Sequence, residues 1–470
     1  MRIAAISVAP VFSEYVIGGS QKILVDMATG LKNRGHDIQI WCTGTDAHDG
    51  DFEISEVPVH PDLKLRGSFP ATHQVSPVAL ARTSDVLKKA ADWADRVYLH
   101  ADAIYLRHAL LGTDIIRSIH DYVYEEALVS TLSLPANVTV VPSEYLKNCI
   151  EVTVALSGRT SIEPIIVVPN GIEVPDSLPS PKLPAGISAR EESDLILLFP
   201  HRPEATKGVR EAILTAVKVQ EIRNEQNVRL LIPAYPPGSN FDDAAGSPQE
   251  ILALAEELGG SDTVELHEWL SPAEMPGYYA AGDVTLCLGS FVESFGLVPV
   301  ESLANGTPAV CARVGGFRQF DDFDAIRLVE YGNTLASAHA VVGVIVPMPN
   351  PSRDEELRSG REKITERFSL EVMVSEFESV ITKFLPGERK ISLAGNGRLE
   401  LAPWCEVQDD RIYDDYAAAS VQFPELTQAL ESGNGFVLSD PLLLSASLDA
   451  EVRFAVDRGI LIPEFVFVKT

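Results

Sequence analysis

Two loops of this sequence combine residue types that suit a phosphorylated ligand. Gly18 and Gly19 precede a predicted helix in the segment VIGGSQ. Paired glycines let the backbone approach an anion, and the amides at a helix N-terminus stabilise its charge. Arg202 and Lys207 lie in FPHRPEATKG, after a predicted strand, where two cations can hold a diphosphate. A plain tight turn and a pair of solvated surface cations are the alternative interpretations of these loops.

A third loop, in GSFVESFGLVPVESLANGTPAV, carries the strongest pattern. Glu293 precedes Gly296, which allows a sharp entry into a predicted helix, and Glu301 lies on that helix. At about 1.5 Å per residue, Glu301 lies roughly 7–8 Å along the helix axis from Gly296. A nucleoside diphosphate sugar fits this spacing, with its phosphates at the helix amides, its sugar at Glu293 and its ribose at Glu301. The alternative is two surface glutamates flanking a first helical turn.

These loops follow strands in two successive regions where strands and helices alternate. The first region has a predicted helix at Gln21–Arg34 and predicted strands at Arg2–Ala9, Ile38–Thr43, Arg96–His100, Asp114–His120, Val138–Ser143 and Ile165–Asn170. The second has predicted strands at Leu195–Phe199, Val228–Pro233, Val264–Glu268, Val284–Leu288 and Pro308–Arg313, and predicted helix starts at the Ser-Pro-x-Glu segments of Ser247 and Ser271. This alternation predicts mostly parallel sheets, which bind ligands at the carboxyl ends of their strands.

The length of 470 residues suggests about three domains at roughly 150 residues each. Val174–Asp194 is rich in Pro and Ser and is predicted to be a linker. The predicted fold class is α/β: a Rossmann-like domain at 1–175 and a second Rossmann-like domain at 195–385, with a cleft between them. The second domain is predicted to close with a long helical stretch, Asp354–Leu385. A small α+β accessory module is predicted at 386–470.

The composition excludes several classes of function. The formal net charge is −29, which disfavours binding to nucleic acid or to an anionic membrane surface. No window approaches the ~18 apolar residues that span a bilayer, and the N-terminus does not resemble a signal peptide. The cysteines are odd in number and never paired as CxxC, which favours a reducing cytoplasm over a disulfide framework or zinc ribbon; they are Cys42, Cys149, Cys287, Cys311 and Cys405.

Over roughly residues 1–385 the sequence resembles glycosyltransferase family 4, which consists of retaining enzymes of the GT-B fold. The resemblance implies that 1–175 is the acceptor-side domain and 195–385 the nucleotide-sugar donor domain. The resemblance rests on GGSQKILVDMATGLKNRGHDIQIW, VVPSEYLKNCI, VVPNGIEVP, ESFGLVPVESLANGTPAVCARVGG and RFSLEVMVSEFESVITKFL. It implies that Arg202 and Lys207, with Gly18 and Gly19, bind the donor diphosphate, that Glu293 binds the transferred sugar and that Glu301 binds the ribose. It also assigns backbone N–H groups near the phosphate and sugar to Phe295, Gly296 and Leu297. His120, in SIHDY, matches a family histidine that reaches the donor's sugar and phosphate.

Some segments depart from the family pattern. Gln319 stands where the family commonly has a glutamate, and 331–348 matches poorly, which puts donor contacts near the base in doubt. Asp322-Phe323-Asp324 spells a DxD motif, but it lies in an acidic loop, so no metal site is predicted. The segment after residue 386 resembles winged-helix or PqqD-like peptide-binding modules only in its helix–turn–helix rhythm, and a dimerisation or packing appendage is the preferred interpretation.

The sequence therefore predicts a cytoplasmic, metal-independent glycosyltransferase. It would move a hexose-type sugar, from a UDP-sugar by preference, to a hydroxyl or similar nucleophile of a small-molecule or peptide acceptor. No cofactor, no nucleic acid and no stable membrane association are expected, and a homodimer is compatible with the sequence. Tyr15, Tyr122 and Tyr124 are acceptor-binding candidates by position. The alternatives are a nucleotide-sugar epimerase or hydrolase on the same fold, and a non-catalytic nucleotide-sugar-binding adaptor.

Overall fold

The structure is a computed structural model that describes residues 1–12, 18–44, 50–65, 75–234, 247–345, 353–383, 387–395, 397–438 and 444–469. The chain divides into two compact units. The first unit comprises Met1–Ser13, Ser20–Val168 and Ser375–Thr470, and the second comprises Glu14–Gly19 and Pro169–Val374. The predicted domain boundaries stay predictions. None of the described helices is both long enough and apolar enough to cross a bilayer.

The first unit is built on an eight-stranded sheet in the order β3-β4-β2-β1-β5-β6-β7-β9. Its elements before Pro169 are β1 (Arg2–Ser7), α1 (Gly19–Asn33), β2 (Asp37–Thr43), β3 (Phe52–Ile54), β4 (Val57–Leu63), α2 (Pro77–Trp93), β5 (Arg96–His100), β6 (Ile115–Ser118), α3 (Glu125–Ser133), β7 (Val138–Val141), α4 (Glu144–Leu156), β8 (Ser161–Ile162) and β9 (Ile165–Val167). All pairs are parallel except β3 with β4. β1 lies centrally and is buried from Ile3 onward, as expected for a strand covered on both faces.

The second unit is built on a six-stranded parallel sheet in the order β12-β11-β10-β13-β14-β15. Its elements are β10 (Asp194–Leu198), α5 (Val209–Ile222), β11 (Asn227–Pro233), α6 (Pro248–Glu257), β12 (Val264–His267), α7 (Met275–Ala281), β13 (Val284–Cys287), α8 (Leu297–Ala304), β14 (Ala309–Ala312), β15 (Ile326–Val329), α9 (Thr334–Ile345) and α10 (Arg353–Phe368). Buried aliphatic side chains of the strands and of α5 and α9 form its core. The predicted α/β class with two doubly wound sheets is confirmed.

One predicted helix start is confirmed by the structure, and two helix predictions are wrong. Ser247 forms the predicted capping box with Glu250 at the start of α6. Ser271 does not start a helix: the Glu274 carboxylate accepts hydrogen bonds from the Ser271 N–H and hydroxyl, closing a turn, and α7 begins only at Met275. The predicted helix Asp354–Leu385 is in fact α10 followed by α11 (Leu370–Thr382). It breaks at Ser369, whose backbone forms a bridge with Ile172.

The predicted linker 174–194 has no regular secondary structure before β10, but it is not a loose tether. Leu183 and Ile187 pack against buried aromatic residues of the second unit. The Lys182 N–H donates to the Gly277 carbonyl, and the Arg361 guanidinium donates to the Pro175 carbonyl at 2.8 Å. The predicted linker therefore packs along the second unit.

The region from residue 387 packs within the first unit. Its elements are β16 (Arg389–Leu393), β17 (Arg398–Leu401), β18 (Cys405–Gln408), β19 (Arg411–Asp414), β20 (Ala419–Gln422), α12 (Pro424–Ser432), β21 (Phe436–Leu438), α13 (Ala446–Asp457), β22 (Leu461–Pro463) and β23 (Phe465–Lys469). β16 pairs with β23 and with β8, and Val152 of α4 joins the core of this region. Trp404 contacts that core and the neighbouring core around α4, so the C-terminal region shares buried surface with the rest of the first unit.

Candidate active site

In the second sheet the strand order reverses at β10, although all strands run parallel. β11 and β12 lie on one side of β10, and β13 lies on the other. Open parallel sheets bind ligands at such a point, beyond the carboxyl ends of the two strands. The loop with Arg202 and Lys207 follows β10, and the loop with Glu293 follows β13. The topology therefore brings the two predicted donor-binding loops to one edge of one sheet.

Two glycines let these loops approach each other closely. Gly208 has φ +87°, and a Cβ there would lie 2.5 Å from the Gly289 amide nitrogen. A Cβ on Gly289 would in turn collide with the Thr206 carbonyl oxygen. The Phe291 N–H donates to that same carbonyl at 2.9 Å. Only glycine fits both positions, so the sequence fixes the separation of the two loops.

Lys207 and Glu293 form an ion pair across this contact. The Lys207 ammonium donates to the Glu293 carboxylate at 2.7 Å, and the two side chains are only 14% and 21% exposed. The ammonium also lies 3.6 Å from the centroid of the Phe291 ring, a cation–π contact that further restricts its position. Arg202 instead pairs with Glu204, 3.2 Å away in its own loop. The structure thus joins one of the two predicted cations directly to the predicted sugar-binding carboxylate.

α8 begins immediately after the Glu293 loop and points its first amides to this edge. Gly296 precedes α8 with φ +94°, and a Cβ there would lie 2.5 Å from Cε1 of Phe317. Leu297 is the first residue of the helix, where backbone N–H groups lack intrahelical acceptors. The Gln319 side-chain amide donates to the Phe295 carbonyl at 2.7 Å. An ionised glutamate at position 319 could not donate this bond, so the departure from the family pattern braces the turn that carries Phe295.

Glu301 lies on α8 with its carboxylate held from one side. The buried Tyr279 hydroxyl donates to Glu301 Oε2 at 3.2 Å. Burial, and then the charge of Glu301, raise the pKa of the Tyr279 phenol well above its ordinary range, so the hydroxyl keeps the proton that it donates. Tyr279 and Phe291 are supporting residues that the sequence analysis did not single out: Tyr279 lies in none of the motifs, and Phe291 lies within the Glu293 motif but is not one of its polar residues.

The remaining predicted residues lie in loops at the edge of the first sheet. Gly18 and Gly19 come at the start of α1, Gly19 being its first residue. Both are grouped with the second unit, within Glu14–Gly19, whereas the first unit resumes at Ser20. His120 follows β6 and is buried, as is Tyr122. Tyr124 immediately precedes α3. Tyr15 lies outside the described residues.

His120 has a second histidine as its neighbour. The rings of His100, which ends β5, and His120 are 4.4 Å apart between centroids. Burial lowers the pKa of His120 to about 4, and burial together with His120 lowers the pKa of His100 well below its ordinary value. Both imidazoles are therefore neutral near pH 7. The sequence analysis missed His100, although YLH and SIH mark parallel ends of two predicted strands.

Among the described residues, one group of three potential metal ligands has its ligand atoms within 4.8 Å of one another: Asp51, His60 and Asp62, on and beside β3 and β4. His60 already bonds Asp51 at 3.1 Å and Gln39 at 3.1 Å. In the predicted DxD segment, the Asp322 carboxylate accepts from Arg367 at 2.8 Å. The absence of a metal from the reaction stays a prediction.

The sequence matches two models of glycosyltransferase families. The model described as Glycosyltransferase Family 4 matches residues 17–174, and the model described as Glycosyl transferases group 1 matches residues 185–322. Together they cover the predicted donor-binding motifs of both sheets. The resemblance to glycosyltransferase family 4 is thereby confirmed.

Similar proteins of known name include D-inositol 3-phosphate glycosyltransferases. The protein of Segniliparus rotundus is 36% identical over 153 residues, 32% of this chain and 32% of its own length. The protein of Xylanimonas cellulosilytica is 27% identical over 398 residues, 75% of this chain and 88% of its own length. For the first four relatives, the chain spans only 28–34% of their length.

Solved structures with the same architecture cover most of the chain. Sucrose-phosphate synthase from Thermosynechococcus elongatus has a TM-score of 0.64 at 18% identity, covering 81% of this chain and 98% of that one. HepE from Anabaena, in complex with UDP and glucose, has a TM-score of 0.61 at 16% identity, covering 82% of this chain and all of that one. The GT-B fold class is confirmed.

Proposed function

We propose that this protein is a retaining, metal-independent glycosyltransferase that moves a hexose-type sugar from a nucleoside diphosphate sugar to an acceptor hydroxyl. The observation that carries the proposal is the Lys207–Glu293 ion pair at the start of α8. It couples a cation suited to a diphosphate with a carboxylate suited to sugar hydroxyls, at the switch point of a parallel sheet. Glu301, one to two turns along the same helix, suits the ribose.

The chemistry follows from where negative charge develops. The bond between the anomeric carbon and the diphosphate oxygen breaks, and a bond from that carbon to the acceptor oxygen forms on the same face. The acceptor proton passes to the departing phosphate oxygen. Lys207, Arg202 and the amides at the start of α8 stabilise the growing charge, while Glu293 holds the sugar and His120, neutral near pH 7, is assigned a hydrogen bond to the donor.

The similar proteins narrow the substrates to be tested first. The similarity to D-inositol 3-phosphate glycosyltransferases supports D-inositol 3-phosphate as the first acceptor to test. The complexes of HepE with UDP and with UDP-glucose support a uridine nucleotide as the first donor. All five cysteines are buried and none forms a disulfide, which supports the proposed cytoplasmic location.

Product analysis tests the proposal. The protein is incubated in EDTA with UDP-, GDP-, ADP- and dTDP-sugars, each with D-inositol 3-phosphate and with a mixture of small polyols and hydroxyl-bearing peptides. We expect one donor to release its nucleoside diphosphate and to yield a glycosylated acceptor with the donor's anomeric configuration. Activity that returns only with Mg²⁺ or Mn²⁺ would contradict metal independence. Free sugar would identify a hydrolase, an altered donor an epimerase, and binding without any product an adaptor.

A further inference from the structure

The strand order of the first sheet also reverses, at β1, and His100 lies at the end of the neighbouring strand β5. β2 pairs on one side of β1 and β5 on the other, so the carboxyl ends of β1 and β5 flank a switch point. His100 is the last residue of β5, and α1 follows β1. Ser20, in the first turn of α1, lies beside the His100 ring. A buried histidine therefore joins the two loops that a ligand at this edge would meet.

The hydrogen bonds of His100 fix its tautomer and its orientation. Nε2 lies 2.8 Å from the Ser20 carbonyl oxygen and 2.9 Å from the Ser20 hydroxyl. A carbonyl oxygen accepts only, so Nε2 carries the proton. Nδ1 lies 3.1 Å from the Tyr98 hydroxyl oxygen, and that hydroxyl donates to the Ser118 hydroxyl at 2.9 Å. The contacts of the two ring nitrogens with Ser20 and Tyr98 set the orientation of the His100 ring.

The hydrogen-bonded ring of His100 packs against the ring of His120. The two ring planes are inclined by 42° at a centroid separation of 4.4 Å. Both side chains are buried. The Tyr98 hydroxyl also lies 2.9 Å from the Ser118 hydroxyl, on the strand that leads to His120. The His100 ring thus lies against the His120 ring, and Tyr98 connects His100 with the strand that precedes His120.

We propose that His100 is a positioning residue, which holds the ring of His120 and the start of α1 in the arrangement required for sugar transfer. The inference rests on the proposed function, in which His120 contacts the donor. Burying an imidazole costs free energy that an aliphatic side chain would not, yet here the imidazole cross-links α1, β5 and the loop after β6. Misplacing a reactive group by about 1 Å can lower the rate roughly 10²-fold. Loss of the His100 contacts is therefore expected to lower turnover.

Two substitutions at His100 and one control test the proposal. In His100→Gln the side-chain amide can still donate to the Ser20 carbonyl, whereas His100→Leu removes the contacts of both ring nitrogens. His267→Leu is the matched control, because His267 is also buried, beside Tyr278 in the second unit, with Nδ1 bonded to the Glu268 carbonyl. For each full-length protein we would measure kcat and Kd for UDP-glucose, or for whichever donor the product analysis selects. We would also measure the thermal unfolding midpoint of each protein and record the His120 ring signals in its 1H–15N spectra.

The expected result separates positioning from packing. His100→Leu should lower kcat at least ~10-fold with donor Kd within ~3-fold, and should broaden or shift the His120 signals. His100→Gln should recover most of kcat, and His267→Leu should lower the unfolding midpoint without lowering kcat. Unchanged His120 signals, or equal losses of kcat in His100→Leu and His267→Leu, would overturn the proposal. If the wild-type protein turns over no donor, the proposed function fails, while the His120 signals still decide the contact between the two histidines.

Discussion

Lys207 and Glu293 form the contact that gives the donor site its chemistry. Each side chain restricts the other, and Phe291 restricts Lys207 from a second direction. A carboxylate held in this way can orient sugar hydroxyls without losing much conformational entropy on binding. The same geometry makes different predictions for the two residues, because one is assigned to the sugar and the other to the diphosphate.

Glu293→Ala should lower turnover by at least ~10²-fold while nucleoside diphosphate binding survives, because its contacts are made to the sugar in the transition state. Steady-state kinetics and calorimetry with the free nucleotide check this. Glu366→Ala, which removes an exposed glutamate of α10, is the control and should behave like wild type. Near-normal turnover of Glu293→Ala would remove Glu293 from the site.

Lys207→Ala should weaken binding of the donor diphosphate by roughly 10- to 100-fold, the scale of one lost hydrogen bond between charged groups at about 1.5–3 kcal/mol. Lys218→Ala is the matched control, since Lys218 lies on α5 outside the proposed site, with a 44% exposed side chain that pairs with Glu221 at 2.7 Å. Calorimetric titration with the nucleoside diphosphate measures both. Equal affinities in the two variants would show that Lys207 serves only to hold Glu293.

The turn that leads into α8 is specified by a single glycine. Gly296→Ala should lower both turnover and the free energy of unfolding, because a side chain at φ +94° is strained and its Cβ would collide with Phe317. Gly343→Ala in α9 has no atom within 4 Å of the new Cβ and should be neutral or stabilise by up to ~1 kcal/mol. Chemical denaturation and donor kinetics compare the two. A fully active Gly296→Ala variant would mean that the turn does not shape the site.

Most strands of the two main sheets were predictable, but the contacts between loops were not. Arg96–His100 is predicted and observed with the same bounds, and β1, β7, β12 and β13 end one or two residues earlier than predicted. The sequence analysis did not predict β3, β4 or β15. The Lys207–Glu293 pair joins residues 86 positions apart, and a spacing within one loop cannot reveal it. The break between α10 and α11 depends on Ile172, a tertiary contact that the helical pattern of 354–385 does not contain.

The C-terminal region bears on the stability of the first unit. Trp404 packs against two cores, one within this region and one around α4. Trp404→Ala should therefore lower the free energy of unfolding by about 3–5 kcal/mol while leaving nucleoside diphosphate affinity intact, since Arg202, Lys207 and Glu301, which are assigned to the diphosphate and ribose, lie in the second unit. Leu438→Ala, at a 45% exposed position of the same region, should cost less than ~0.5 kcal/mol.

Denaturant unfolding and nucleotide titration separate the outcomes for Trp404. A Trp404→Ala protein of wild-type stability would show that the C-terminal region is an independent appendage, as one sequence-based alternative has it. Loss of nucleotide affinity in a folded Trp404→Ala protein would show that this region contributes to the donor site. Either result would contradict the view that the C-terminal region stabilises the first unit and takes no part in nucleotide binding.

Calorimetric titration of UDP, GDP and ADP in EDTA, with the wild-type protein and Glu301→Ala, tests the central claim that the start of α8 binds a nucleoside diphosphate. We predict that one nucleotide binds the wild-type protein without metal, and that Glu301→Ala weakens its binding at least ~10-fold through loss of the charged hydrogen bonds to the ribose. Failure of all three nucleotides to bind, or an affinity unchanged by Glu301→Ala, would contradict the account.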